Sequence, residues 1–111
     1  MNIKNKITEI TLNENTYKMK FDFETIARIQ AELRKNGLPY KFFEIFEALE
    51  AQDFSVILPL IIHSIQRMHP QVKRETIINA LSFDNLEVVV NALLELIENS
   101  MPKNNEEAKK K

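Results

Sequence analysis

Hydrophobic and polar positions alternate strictly along Tyr17-Lys18-Met19-Lys20-Phe21-Asp22-Phe23. A period of two puts Tyr17, Met19 and Phe21 on one face of a strand and the charges on the other. Ahead of it, Ile7-Thr8-Glu9-Ile10-Thr11-Leu12 is rich in β-branched residues, with Ile10 and Leu12 sharing a face. The link Asn13-Glu14-Asn15-Thr16 carries turn formers, so the pair reads as a hairpin. A hairpin is marginal alone in water. Its apolar face is therefore expected to lie on the helices that follow.

From Asp22 onward the period lengthens to that of helices. Asp22 is the expected N-cap of a first helix with Phe23, Ile26, Ile29 and Leu33 in its stripe. Its end is marked by Arg34 and Lys35, then by Gly37 at the left-handed C′ position and Leu38-Pro39. A second helix over 40–51 carries Phe42, Ile45, Phe46 and Leu49, with Tyr40 and Phe43 beyond one edge. Asp53 or Ser55 caps a third, to about Met68, striped by Phe54, Ile57, Leu58, Ile61, Ile65 and Met68. Val56, Leu60 and Ile62 widen that stripe, which predicts a central helix. Pro59 is expected near its first turn, and a strand over 56–62 is the competing assignment.

His69-Pro70 ends the third helix, and a short fourth over 73–81 buries Ile77, Ile78 and Leu81. Asp84-Asn85-Leu86-Glu87 resembles a capping box for a fifth helix through about Ser100, burying Leu86, Val89, Val90, Leu93, Leu96 and Ile97. The fold class expected is mainly α (α+β), an N-terminal hairpin followed by a compact bundle of about five helices. Residues 1–101 form the single domain, and 102–111 are expected to be a disordered charged tail.

At 111 residues the chain has room for one core, and 44% hydrophobic with 28% charged residues is an ordinary globular balance. The net charge of −1 supplies no general attraction to nucleic acid. With no cysteine there are no disulfides, thiolate nucleophiles or thiolate metal sites. Gly37 is the only glycine, which excludes the glycine-rich phosphate loops. The longest apolar run, 54–65, is broken by Ser55, Pro59, His63 and Ser64 and falls short of a membrane span of roughly 20 residues. The polar start at Met1 does not read as a signal peptide, so a cytoplasmic protein with no membrane partner is expected.

His63 and His69 lie about 240° apart on a continuous helix and do not converge on one ligand. No cluster has metal-ligand spacing, and Ser55, Ser64, Ser82 and Ser100 show no linked histidine and acid. Catalytic, cofactor-binding and metal sites are expected to be absent. A helix-turn-helix reading of the fourth and fifth helices fails, because the recognition helix would present Asn85, Glu87, Asn91 and Glu95 to phosphates with no lysine or arginine. Residues 102–111 carry +2, leaving −3 on 1–101. A mildly acidic helical body with a basic tail suits a protein-binding module. Five aromatics, Tyr40, Phe42, Phe43, Phe46 and Phe54, crowd into fifteen residues, and Tyr40, Phe43 and Phe46 are the candidate partner-binding residues.

The element order, with the phrase Tyr17-Lys18-Met19-Lys20-Phe21-Asp22-Phe23 and a helix reading Ile26-Ala27-Arg28-Ile29-Gln30-Ala31-Glu32-Leu33, resembles the small tail assembly chaperones of long-tailed bacteriophages, prophages and gene transfer agents. The likeness covers roughly 7–100; Asn13-Glu14-Asn15 stands where many relatives have a glycine in the hairpin turn. The resemblance implies a non-catalytic protein that keeps the tape measure protein soluble until tail tube subunits polymerise around it. It also implies absence from the mature virion, and a frameshifted longer form for which the run Lys109-Lys110-Lys111 would be the slippery site. Homo-oligomers along the client are compatible with that role. A small helical transcriptional or toxin–antitoxin regulator and an accessory subunit of a larger complex are the alternatives.

Overall fold

A computed structural model describes residues 7–101 of the chain. Two antiparallel strands, β1 (Ile7–Leu12) and β2 (Asn15–Lys20), precede five helices. These are α1 (Phe23–Lys35), α2 (Phe42–Glu50), α3 (Phe54–Met68), α4 (Arg74–Asn79) and α5 (Leu86–Ser100). A 3-10 turn, Phe83–Asn85, leads into α5. The α+β hairpin-and-bundle architecture expected from the sequence is the one found. The expected disordered tail, 102–111, lies outside the described residues.

The hairpin turn is shorter than its four-residue link suggested, because Asn15 pairs with Leu12 and Thr16 with Thr11. That leaves Asn13 and Glu14 to turn the chain, with φ of 51° and 71°. Two positive φ values make the mirror-image turn whose twist matches that of the strands. β2 ends at Lys20 rather than running to residue 23, since Asp22 is spent on opening α1. Ile10, Leu12, Tyr17, Met19 and Phe21 are all buried, so the period-two face is the inner one.

In α1 the Asp22 Oδ1 accepts the Thr25 N–H at 3.0 Å, and Thr25, Ile29 and Leu33 form the buried stripe. Phe23 departs from its expected place and is 71% exposed. At 100° per residue it stands about 120° around the helix from Ile29, outside the stripe. The Gly37 N–H donates to the Arg34 carbonyl and the Leu38 N–H to that of Leu33, at 3.0 and 2.8 Å. With Gly37 at φ 83°, this is the glycine-stopped helix end that the sequence announces.

α2 starts two residues later than expected, the Lys41 N–H donating to Glu44 Oε1 at 2.8 Å as the helix opens. It ends in the same double hydrogen bond as α1, Gln52 to Leu49 and Asp53 to Ala48, with Gln52 at φ 61°. Asp53, not Ser55, caps α3, accepting the Ser55 N–H at 2.9 Å. The helix continues through Pro59, its sixth residue, so the proline lies a turn deeper than expected and no strand forms there. α3 packs on β2, α1, α2, α4 and α5 and is the axis of the core.

Ahead of α5 the capping differs from the expected Asp84–Glu87 box. The chain enters through the 3-10 turn, which makes Ser82 the flanking residue and Asn85 the responding one. The Ser82 N–H donates to Asn85 Oδ1, and Asn85 Nδ2 to the Ala80 carbonyl, both at 2.9 Å. Val89, Val90, Leu93, Leu96 and Ile97 of α5 are buried, whereas Leu86, like Ile78 and Leu81 before it, is only half-buried. One continuous hydrophobic cluster joins the hairpin to α1, α2, α3, α4 and α5.

Candidate functional site

The ionisable side chains that the fold brings together serve the packing of α1, α3 and α4. Asp22 takes a bidentate grip from Arg67, at 3.2 Å to Nε and 2.9 Å to the guanidinium, while the Thr25 hydroxyl donates to it at 2.9 Å. Burial opposes the charge on Asp22, but the hydrogen bonds from Arg67 and from the Thr25 backbone and hydroxyl prevail and lower its pKa from 3.8 to about 2. Glu32 binds Arg74 through both carboxylate oxygens and accepts from His63 Nε2 at 2.7 Å. The Arg74 hydrogen bonds, against burial and with help from His63, hold the Glu32 carboxyl below its usual range.

The two histidines do separate jobs at separate places. His63 tethers α3 to α1 through Glu32. His69, the C-cap of α3, accepts the Lys18 N–H of β2 on Nε2 at 2.9 Å, and its ring meets Tyr17 edge-on at 5.8 Å. Among the described residues, no group of three histidine, aspartate or glutamate side chains could hold a metal ion. None of Ser55, Ser64, Ser82 and Ser100 is hydrogen-bonded to a histidine; the Ser100 hydroxyl donates to the Leu96 carbonyl instead. No helix among the described residues is long and apolar enough to cross a membrane.

What the surface offers is an apolar cleft of about 240 Å³. Phe54, Ile57 and Leu58 of α3 form one wall; Ile78, Leu81, Ser82, Phe83, Asn85, Leu86 and Val89 form the other. Two rings stand at its lip: Phe54, 49% exposed, and Phe83, 83% exposed, their centroids 6.4 Å apart. Phe54 is in helical phase with Ile57 and Ile61 but is the first residue of α3, so its ring overhangs the end of the core. Phe83 lies in the 3-10 turn and has no stripe to join.

Among the described residues, the lining contains no titratable group. Of its two polar residues, Asn85 is committed through its side chain and Ser82 through its N–H to the turn that opens α5. The volume falls under the roughly 300–1,000 Å³ of pockets that enclose small molecules. It suits one or two large apolar side chains. A second, larger and more open depression of about 690 Å³, between β1, β2 and the ends of α3 and α5, is mixed in character, with Glu9, Lys18 and Glu95 beside Ile7 and Met68.

The three residues expected to meet a partner divide. Phe43 is 72% exposed, whereas Tyr40 and Phe46 are half-buried and pack against the core. None of the three lines the cleft. Phe54 belongs to the stripe expected of the third helix and Phe83 to none, so the periodicity does not announce the cleft. The usable signal was an aromatic side chain in a turn between two helices, where no apolar period calls for one. No family model, no curated protein and no solved structure matches this chain.

Proposed function

We propose that this chain is a non-catalytic tail assembly chaperone of a phage or prophage, acting in the host cytoplasm and absent from the mature virion, and that it uses the α3/α5 cleft to hold an amphipathic helix of the tape measure protein. The observation that carries the reading is the cleft itself, apolar in its lining but for Ser82 and Asn85 and edged by the exposed Phe54 and Phe83 rings. A concave apolar opening edged by two exposed aromatic rings supports reading it as a contact site. Each client leucine or phenylalanine that enters contributes roughly 2 kcal/mol from burial alone. The hairpin, the Lys18-Met19-Lys20-Phe21-Asp22 phrase and the helix that follows supply the likeness to tail assembly chaperones. Among the described residues the lining holds no acid, base or linked nucleophile, which favours holding over chemistry.

The test is co-expression of the product of the longest open reading frame downstream, the candidate tape measure protein, with and without this chain, followed by size-exclusion chromatography. Soluble tape measure protein co-eluting with this chain, and lost with Phe83→Ala, is the expected result. An insoluble tape measure protein and a chain eluting alone would remove the chaperone reading.

A further inference from the structure

Charge is distributed along this chain very unevenly. Residues 42–66 and 75–101, which contain the whole cleft lining, carry nine acidic side chains and no lysine or arginine. All nine lysines and arginines of residues 7–101 lie in 7–41 and 67–74. Three of the acids, Asp53, Asp84 and Glu87, adjoin lining residues in the chain. Asp53 is occupied in capping α3, but Asp84 and Glu87 are exposed, and neither has an ion-pair partner among the described residues. The dipoles of α3 and α5, whose N-termini open at the cleft, favour an acid or two at these positions. They do not account for the exclusion of every cation from both stretches.

We infer that the cleft selects a basic amphipathic helix: apolar side chains enter beside the Phe54–Phe83 ring pair, while lysine or arginine next to them on the helix pairs with Asp84 and Glu87. This rests on the reading of the cleft as a docking site and adds the chemistry of what docks. A second copy of the chain is a poorer fit. Its basic part exposes Phe23 as an apolar anchor, but the neighbouring Lys20, Arg28 and Arg67 are already paired with Asp22 and Glu24. Charge at the rim of an apolar contact acts mainly on association rate and partner choice, which is what a chaperone sorting helical segments requires.

Two labelled model helices of about five turns, identical in a leucine face at i, i+3, i+4 and i+7, test the inference by fluorescence anisotropy against the full chain. One carries lysine at the remaining positions and the other glutamate. The lysine helix is expected to bind about tenfold more tightly at low salt, a gap that closes toward about 0.5 M salt. Asp84→Asn with Glu87→Gln is expected to erase the gap, and Phe83→Ala to weaken both helices; these side chains are exposed, and circular dichroism verifies that each variant folds. Equal binding of the two helices overturns the preference for cations and leaves docking in place. Tighter binding of the glutamate helix overturns it too. Binding of neither helix removes the cleft as a docking site altogether. A dimer in sedimentation that Phe83→Ala dissolves makes a second copy the occupant and overturns the inference.

Discussion

Asp22 shows how much one side chain can be asked to do. It caps α1, receives the Thr25 hydroxyl and anchors Arg67 of α3 from 45 residues away. Its pKa of about 2 lies under the 3.8 of the unfolded chain, so the folded state binds the proton less readily. The stabilisation is complete above the unfolded value and is lost as pH falls through the folded one. Asn caps a helix nearly as well as Asp, so Asp22→Asn removes the charge and leaves the cap. Urea unfolding is expected to show the variant about 2 kcal/mol less stable near neutral pH, with the difference closing between about pH 4 and pH 2. The capping role of Asp22 was legible in the sequence, because a cap depends only on its neighbours. The grip of Arg67 was not, since it depends on how α1 and α3 cross. Glu32, His63 and Arg74 are the same case: three residues on three helices, joined only by the packing.

At the scale of elements, legibility follows whether the chain used the residue that the geometry prefers. α1 and α2 end in the same hydrogen-bonded motif, but the first puts Gly37 at the left-handed position and the second puts Gln52 there, at φ 61°. Both ends fall within about a residue of where the sequence places them, but only the first carries the glycine that announces the motif itself. The hairpin turn repeats the lesson, with Glu14 at φ 71° in a position that favours glycine. A side chain in the left-handed region costs roughly 1 kcal/mol. Glu14→Gly and Gln52→Gly are therefore each expected to raise stability by about 1 kcal/mol, and Gly37→Ala to lower it by about as much. No atom lies within 4 Å of a Cβ built on Gly37, so its cost is backbone strain without a clash. Thermal melts of the three variants check all of these together. The cleft sits beyond what such local signals reach. Phe54, Ile78 and Phe83 come from three separate stretches, and only the turn ahead of α5 brings them to one opening.

For the whole molecule, the question is whether the hairpin is an appendage to a helical bundle or part of its core. β2 packs along α3 and β1 on α5. Leu12 and Met19 have no exposed surface, and they share one cluster with Leu60, Ile61 and Leu93 of the helices. The outer edge of β2 is also tied down, its Lys18 N–H received by His69 at the end of α3. A two-stranded sheet gains little from its own pairing, so the hairpin folds because the helices bury it. The helices lose part of their core without it. Met19→Ala is accordingly expected to lower global stability by about 3 kcal/mol, in the range for truncating a fully buried methionine. Far-ultraviolet dichroism, which follows the helices, and tyrosine fluorescence of a Tyr40→Phe variant, in which Tyr17 alone reports on the hairpin, are expected to give one coincident transition. If the fluorescence change precedes the loss of helix, the hairpin unfolds as a separate unit, and the cleft, built on α3, α4, the 3-10 turn and α5, survives its loss. If they coincide, Met19 in the hairpin and Phe83 at the cleft belong to one cooperative structure, and a variant at either must be shown to be folded before its binding is read.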